Sequence, residues 1–306
     1  MVAIPTETVY GLAALATNED ACRSIFSVKG RPLLDPLIVH VPEFSWIEHF
    51  ARTVDGLAEL AKAFWPGPLT VVLPKKTTVP DIVTAGMPSV AIRIPAQPAT
   101  LGLLSRVEGP LAAPSANPFG YVSPTRPEHV AATFGGKVPF VLDGGSCPIG
   151  VESTILDMRE PLKPNLLRPG AIGRNQLEDC LGRSIRIRQS TVAAGETALA
   201  PGTMERHYSP GTDLFLFEGL PPGNHKNSRR ALVFLQPPRE RPNLFGAHAF
   251  WWSESGDLTE IARNLFALLR RLDEAGYAAI HCQLPAGEEP LAVAIRDRLH
   301  RAAAQH

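Results

Sequence analysis

The stretch LAELAKAFWPGPLTVVL, residues 57–73, changes character halfway along. Leu57, Leu60, Ala61 and Phe64 recur at the spacing of one helix face, and Pro66-Gly67-Pro68 stops that helix. Thr70-Val71-Val72-Leu73 then continues as a short β-branched strand. The same alternation runs outward in both directions. Upstream, Thr17 with Asp20 three residues on reads as a capping box for a helix whose face is Ala21, Cys22, Ile25 and Phe26, ending at Gly30. Strands are expected at Leu37–Val41 and at Val2-Ala3-Ile4, the latter running on through Thr6, Thr8 and Val9 to Gly11. Downstream, Val90–Ile94, Phe140–Leu142 and Ser153–Leu156 read as strands, and Thr125 caps a helix with Pro127 and Glu128 in its first turn. Strands interleaved with helices predict an α/β fold, one twisted mixed sheet over residues 1–188.

Residues 189–210 lose all periodicity and carry Pro201-Gly202-Thr203 and Ser209-Pro210, so they read as a linker. Beyond it lie strands at Leu214–Phe217 and Ala231–Leu235. A helix follows with Leu258, Ile261, Ala262, Leu265, Leu268, Leu269 and Leu272 on one face. A strand at Ala278–Ile280 and a closing helix over 292–304 complete a small Rossmann-like α/β domain, residues 211–306.

Composition narrows the function classes. Hydrophobic residues make up 44% of the 306 and charged residues 20%, enough apolar material for a packed core and too much for a disordered chain. Thirty prolines and 25 glycines without a repeat period exclude collagen-like and low-complexity chains, and imply many fixed turns. Thirty basic residues balance 30 acidic ones, which gives no support to a non-specific nucleic-acid coat. Arginine far outnumbers lysine, however, and its planar fork suits a local anion site. Cys22, Cys147, Cys180 and Cys282 are far apart and form no CxxC, so neither a zinc site nor a disulfide framework is expected. No basic leader with an apolar run and no membrane-length apolar stretch is visible, so a cytoplasmic setting without membrane contact is expected.

Four clusters carry chemistry beyond what folding asks of them, each with a plainer alternative. Pro5-Thr6-Glu7-Thr8-Val9-Tyr10-Gly11 ends a strand with two hydroxyls, a carboxylate and a phenol, and an edge strand entering a turn reads the same way. Lys29-Gly30-Arg31-Pro32 sets two cations beside a permissive backbone, a grip for polyphosphate, although such a pair also arises by chance. Pro114-Ser115-Ala116-Asn117-Pro118 fixes a loop presenting a hydroxyl and an amide, or forms an ordinary Asx or Ser turn. Asp143-Gly144-Gly145, Gly150-Val151-Glu152-Ser153-Thr154 and Arg168-Pro169-Gly170 allow close backbone approach, which a ligand and a turn use equally. No P-loop, GxGxxG, HExxH or GxSxG occurs.

In order, PTETVYGL, KGRP with PLIVHV, PGPLTVVL, AIRIP, APSANPFG, DGG, GVESTI and LRPG resemble the YrdC-like threonylcarbamoyl-AMP synthases across residues 3–172. RHYSP (206–210) and the domain after it resemble that family's long, two-domain form. The resemblance implies a nucleotidyltransferase that joins L-threonine, bicarbonate or CO2 and ATP into threonylcarbamoyl-AMP and pyrophosphate. Its product passes to a tRNA threonylcarbamoyl transferase, for threonylcarbamoyladenosine in tRNA. Mg2+ accompanies ATP, no metal ligands are assigned, and a weak RNA contact is included among the partners. By matching position, Lys29, Arg31, Ser115 and Asn117 form the catalytic tetrad. The same matching adds Asp35, Ser89, Ser123, Arg168, His207 and Tyr208 to the ATP side, and assigns Thr6, Thr8, His40, Arg93 and Ser153 to threonine. Arg206, His207 and Tyr208 resemble a linker segment covering the site.

The sequence departs from the family at Asp35, where Asn is usual, and at its start, where the first strand begins at Val2 without the usual preceding helix. Two other readings compete. Carbamoyl-adenylate chemistry of the hydrogenase-maturation type would come with zinc-finger-like cysteines and an acylphosphatase-like segment, which are lacking. A non-catalytic RNA-binding module fits poorly with a neutral chain.

Overall fold

In the computed structural model, which describes residues 1–187, 199–202, 207–221, 229–238 and 248–304, the alternation of strands and helices builds two sheets. The first holds β1 (Val2–Ile4), β2 (Gly11–Leu15), β3 (Ile38–His40), β4 (Leu69–Pro74), β5 (Ser89–Arg93), β6 (Leu111–Ala112), β7 (Thr154–Asp157), β8 (Asn165–Arg168) and β9 (Arg186–Ile187). Their order is β1-β2-β6-β3-β5-β4-β7-β8-β9, with β3/β5, β4/β7 and β8/β9 parallel and the other pairs antiparallel. The accompanying helices are α1 (Glu19–Lys29), α2 (Ile47–Phe50), α3 (Leu57–Phe64), α4 (Asp81–Thr84), α5 (Pro98–Leu104), α6 (Pro127–Phe134) and α7 (Arg174–Leu181). The second sheet is parallel throughout, β10 (Leu214–Phe217), β11 (Arg230–Phe234), β12 (Ala249–Trp251) and β13 (Ala279–Gln283) in the order β10-β13-β11-β12. It carries α8 (Leu258–Glu274) and α9 (Pro290–Ala303).

Several local expectations shift. The Thr6–Val9 stretch is not strand: the Thr6 hydroxyl accepts from the backbone N–H of Thr8 and of Val9 and donates to the Val9 carbonyl, closing a side-chain turn in place of a ladder. Phe140–Leu142 makes a single bridge, Val141 to Ala3, instead of a strand. The cap of α1 is Asn18, whose Oδ1 accepts from Ala21 N at 2.9 Å, one residue later than expected. Helix α6 likewise starts after Arg126, not Thr125. Most of the expected linker, residues 189–198 and 203–206 with Arg206 among them, lies outside the described residues.

Strand alternation sets up the site. Val39, Val71, Ile92 and Leu156 point into the large core with Ile25, Leu57 and Leu60. Their neighbours Ile38, Val72, Ala91 and Ile155 cover the opposite face beside Ala200. A period of two puts His40, Thr70 and Arg93 on that second face too, and β3/β5 register places His40 across from Arg93.

The two units share a core: Val9, Val122, Val151 and Tyr208 pack among Leu265, Phe266 and Ile295 of α8 and α9. Arg270 of α8 donates to the Val122 carbonyl and to Thr133 Oγ1, and lies 4.9 Å from the Tyr121 ring centre. Asp273 accepts from Gly211 N, Thr212 N and Tyr121 Oη. No helix among the described residues is long and apolar enough to cross a membrane.

Gly150 sits where this seam is closely packed. Its φ is +82°, and a methyl group there would come within 2.4 Å of the Ala262 carbonyl oxygen and Arg263 Cα. Gly150→Ala is therefore expected to lower the unfolding free energy by about 2–4 kcal/mol through strain and overpacking. A urea midpoint equal to the parent's would show that the seam yields at no cost.

Candidate active site

The second face of the large sheet, the Thr6–Gly11 turn, the Pro114–Ser115 loop, Glu152–Ser153 and Arg168 enclose a chamber roofed by Pro201–Gly202 and His207–Tyr208. Its cavity is about 40 Å³, room for a few waters.

All five residues expected around threonine line it. Thr6 and Thr8 share a hydroxyl–hydroxyl bond of 2.8 Å, and Ser153 Oγ makes another with Thr70 at 2.8 Å. Arg93 donates Nη1 to Thr8 Oγ1 at 2.9 Å and Nε to the Gly67 carbonyl at 3.2 Å, with Nη2 2.7 Å from Glu7 Oε1. Glu7 is itself placed by the Ala96 N–H. An arginine has five N–H donors, so two remain beyond these partners.

On the nucleotide side, Arg31, Ser115, Arg168, His207 and Tyr208 line the chamber. Gly30, left-handed at φ 62°, caps α1 and turns the chain so that Lys29 and Arg31 both point inward from a helix end. Lys29 donates Nζ to the Ser115 carbonyl at 2.7 Å and to the Asn117 carbonyl, leaving one N–H of three. Arg31 holds the Asp35 and Pro36 carbonyls and pairs with the Asp35 carboxylate at 2.9 Å. Asp35 thus stands behind Arg31, not in the wall. Asn117 turns its amide to the Pro118 and Tyr121 carbonyls, and Ser123 donates to Glu152 Oε1 at 2.5 Å. Lys29, Asp35, Asn117 and Ser123 therefore support the chamber one bond behind its surface. Ser89 opens β5 at the end opposite Arg93 and does not line the chamber.

The roof is tightly seated. Arg168 donates to Ser153 O, Ser153 Oγ and Pro201 O. Tyr208 has φ 64°, stacks on Phe266 at 5.6 Å and lies against His207 at 4.1 Å. A methyl group on Gly202 would sit 2.5 Å from Tyr208 Oη and 2.9 Å from Arg168 Nη1.

Cations outnumber carboxylates: Lys29, Arg31, Arg93, Arg168 and Arg298 against Glu7, Asp35 and Glu152, all buried. Such a field suits a polyanion. Burial, with Arg93 adding to it, pushes His40 down to about 3. Burial and the surrounding Arg31, Lys29 and Arg168 hold His207 well below its ordinary value, so both imidazoles stay neutral.

Sequence patterns single out neither Thr70 nor Arg298, and Glu7 and Glu152 stand in two of the clusters without an assigned role. Glu152 accepts from Arg298 Nε at 2.8 Å, a partner 146 residues away in sequence. Arg298 left one usable trace: it falls on the apolar stripe of α9 with Ala294, Ile295 and Ala302, where a charge demands a buried partner.

A family model described as "Telomere recombination" matches residues 1–170, and one described as "Threonylcarbamoyl-AMP synthase, C-terminal domain" matches residues 172–304. The chain is 41% identical over 308 residues to a threonylcarbamoyl-AMP synthase of Pyrococcus abyssi, covering 99% of this chain and 90% of the relative. It is 39% identical over 284 residues to that of Bacillus subtilis, covering 90% and 81%. The crystal structure of P. abyssi Sua5 complexed with L-threonine superposes with a TM-score of 0.87 at 39% identity, covering 99% of this chain and 90% of that one.

The neutral histidines make a pH prediction. Between the unfolded value near 6.5 and the depressed folded value, the unfolded chain binds protons that the folded chain refuses. Stability is therefore fully present above pH 6.5 and falls as pH drops, by at most about 1.4 kcal/mol per pH unit for each such imidazole. Urea unfolding from pH 8 to 5 should show this slope, and His40→Gln should flatten it; an unchanged slope in that variant would assign the acid lability elsewhere.

Proposed function

The chain belongs to the family of threonylcarbamoyl-AMP synthases that carry the additional C-terminal domain, and we propose that the roofed chamber is its catalytic site. It is a nucleotidyltransferase that forms L-threonylcarbamoyl-AMP and pyrophosphate from L-threonine, bicarbonate or CO2 and ATP, serving threonylcarbamoyladenosine formation in tRNA. The observation that carries the site assignment is one juxtaposition: Arg93, with paired hydroxyls around it, shares a single cavity with Arg31, Arg168 and the Lys29-held Ser115 loop.

The threonine carboxylate takes the two uncommitted N–H groups of Arg93, a charge-assisted fork. Thr6, Thr8, His40 and Ser153 surround its side chain, so a ligand lacking the hydroxyl leaves buried polar groups unpaired. The amine adds to CO2 and loses a proton, giving a carbamate. One carbamate oxygen then bonds to the α-phosphorus of ATP while the bond to the bridging oxygen breaks, and pyrophosphate leaves with that electron pair. Positioning and charge neutralisation dominate such a step. Arg31 and Arg168 supply them from the wall and Lys29 from behind the Ser115 loop, while Ser115 Oγ, His207 and Tyr208 bound the nucleotide. Asp35 and Ser123 act through Arg31 and Glu152, Asn117 through the loop that Lys29 holds, and Ser89 has no part in this arrangement.

Mg2+ fits as the companion of ATP rather than as a resident ion. Glu7, Asp35 and Glu152 are each committed to an arginine, and no metal-ligating group of three occurs among the described residues. Ligand pockets for a nucleotide run to hundreds of cubic ångströms, so His207 and Tyr208 must give way before ATP enters a cavity of about 40 Å³. A cytoplasmic location, hand-over of the product to a tRNA threonylcarbamoyl transferase, a weak RNA contact and a linker joining units 1–188 and 211–306 complete the reading.

Pyrophosphate release measured with threonine and bicarbonate, singly and together, is the direct test: release is expected only with both present. Lys29→Met, which keeps the side-chain length, should lower kcat/KM at least about 100-fold. Gly202→Ala, which displaces the Tyr208 phenol, should raise the KM for ATP several-fold; near-parental kinetics in both variants would reject the assigned chamber.

A further inference from the structure

Arg298 lies on α9 of the second unit, is 1% exposed, and reaches the wall of the chamber. Its Nε bonds Glu152 Oε2 at 2.8 Å, and Nη2 donates to the Pro169 carbonyl at 3.0 Å, next to Arg168. Its guanidinium carbon stands 5.2 Å from the centre of the Tyr208 ring. Glu152, which lines the chamber, spends its other oxygen on Ser123. We propose that Arg298 is a positioning residue for the nucleotide: it neutralises the one wall carboxylate contacted from the second unit and seats Tyr208 above it. The inference rests on the functional reading above and names a role for a residue outside the catalytic unit.

The physical case turns on charge. A carboxylate buried in the wall repels an incoming triphosphate strongly, because the interior screens little. Arg298 cancels that charge and at the same time fixes the carboxylate so that Ser123 stays in place. It is delivered to this point by a close docking of α9: a methyl on Gly173 would be 2.6 Å from Pro290 Cγ at the start of that helix. Asp297 completes the unit by accepting from Arg298 Nη1 and Arg301 Nε. A residue that merely joined two domains would change stability and leave the KM for ATP unmoved. A residue that shields the nucleotide from Glu152 becomes dispensable once that charge is gone.

The experiment compares Arg298→Met with the double variant Arg298→Met/Glu152→Gln in pyrophosphate release at saturating threonine and bicarbonate. Arg298→Met is expected to raise the KM for ATP about tenfold with kcat within about threefold, and the double variant to return KM to within about threefold of the parent. Parental KM in Arg298→Met, or a defect that Glu152→Gln does not relieve, overturns the proposal. Should Arg298→Met fail to fold, Arg298→Lys replaces it, with an expected rise in KM for ATP of about threefold at a near-parental unfolding temperature; an unchanged KM there overturns it equally. The parent run alongside separates the two claims: if it releases no pyrophosphate with both co-substrates, the functional reading fails, whereas an active parent and an indifferent Arg298→Met reject this inference alone.

Discussion

A buried cation must be given partners, and that requirement organises this molecule. An unpaired guanidinium or ammonium in the interior costs several kcal/mol, so each is satisfied by carbonyls or a carboxylate. Here the partners come from remote loops. Lys29 ties the end of α1 to the Ser115–Asn117 loop, Arg93 ties β5 to Gly67 and to Thr8, and Arg168 ties β8 to Ser153 and Pro201. Under the proposed function, the groups that neutralise the substrates' charge are therefore also the stitches that hold the chamber walls. Removing any one of them disturbs both geometry and charge, which makes volume-conserving replacements more informative than truncations.

The second unit extends the same logic. Its core admits Val9, Val122, Val151 and Tyr208, so the roof of the chamber is packed from outside by residues of α8 and α9. Arg270 satisfies the Val122 carbonyl, and Asp273 fixes Gly211 and Thr212 where the chain enters β10. The roof segment is thus fastened downstream by the second unit, through these bonds and through Ser209 N to the Gly120 carbonyl, and upstream by Arg168.

Much of this was legible in the residues, for stated reasons. Elements with a long periodic face, such as α1, α3 and α8, declared themselves because burial imposes the period directly. The two-residue strands β6 and β9 carry no such pattern and exist only through their neighbours. Thr6–Val9 misled because its β-branched residues favour strand while the Thr6 hydroxyl competes for the backbone and wins. At the site, Thr6, Thr8, Lys29, Arg31, Ser115 and Arg168 sat in recognisable motifs. The pairs that set the charge balance, Arg93 with Glu7 and Arg298 with Glu152, arise from register and docking between distant segments, which no local pattern encodes.

Tyr208 shows how packing and strain combine at the roof. A non-glycine residue at φ 64° costs roughly 1–2 kcal/mol. That cost is offset by stacking on Phe266, by the Arg298 cation above the ring and by the absence of a side chain at Gly202. A seat opposed by backbone strain needs less free energy to vacate than the same contacts on a relaxed backbone. Under the proposed function, such a balance suits a segment that leaves a cavity of about 40 Å³ to admit a nucleotide and returns to exclude water around the mixed anhydride. Firm contacts alone would keep the roof shut, and strain alone would leave it open; the opposition of the two lets one short segment do both.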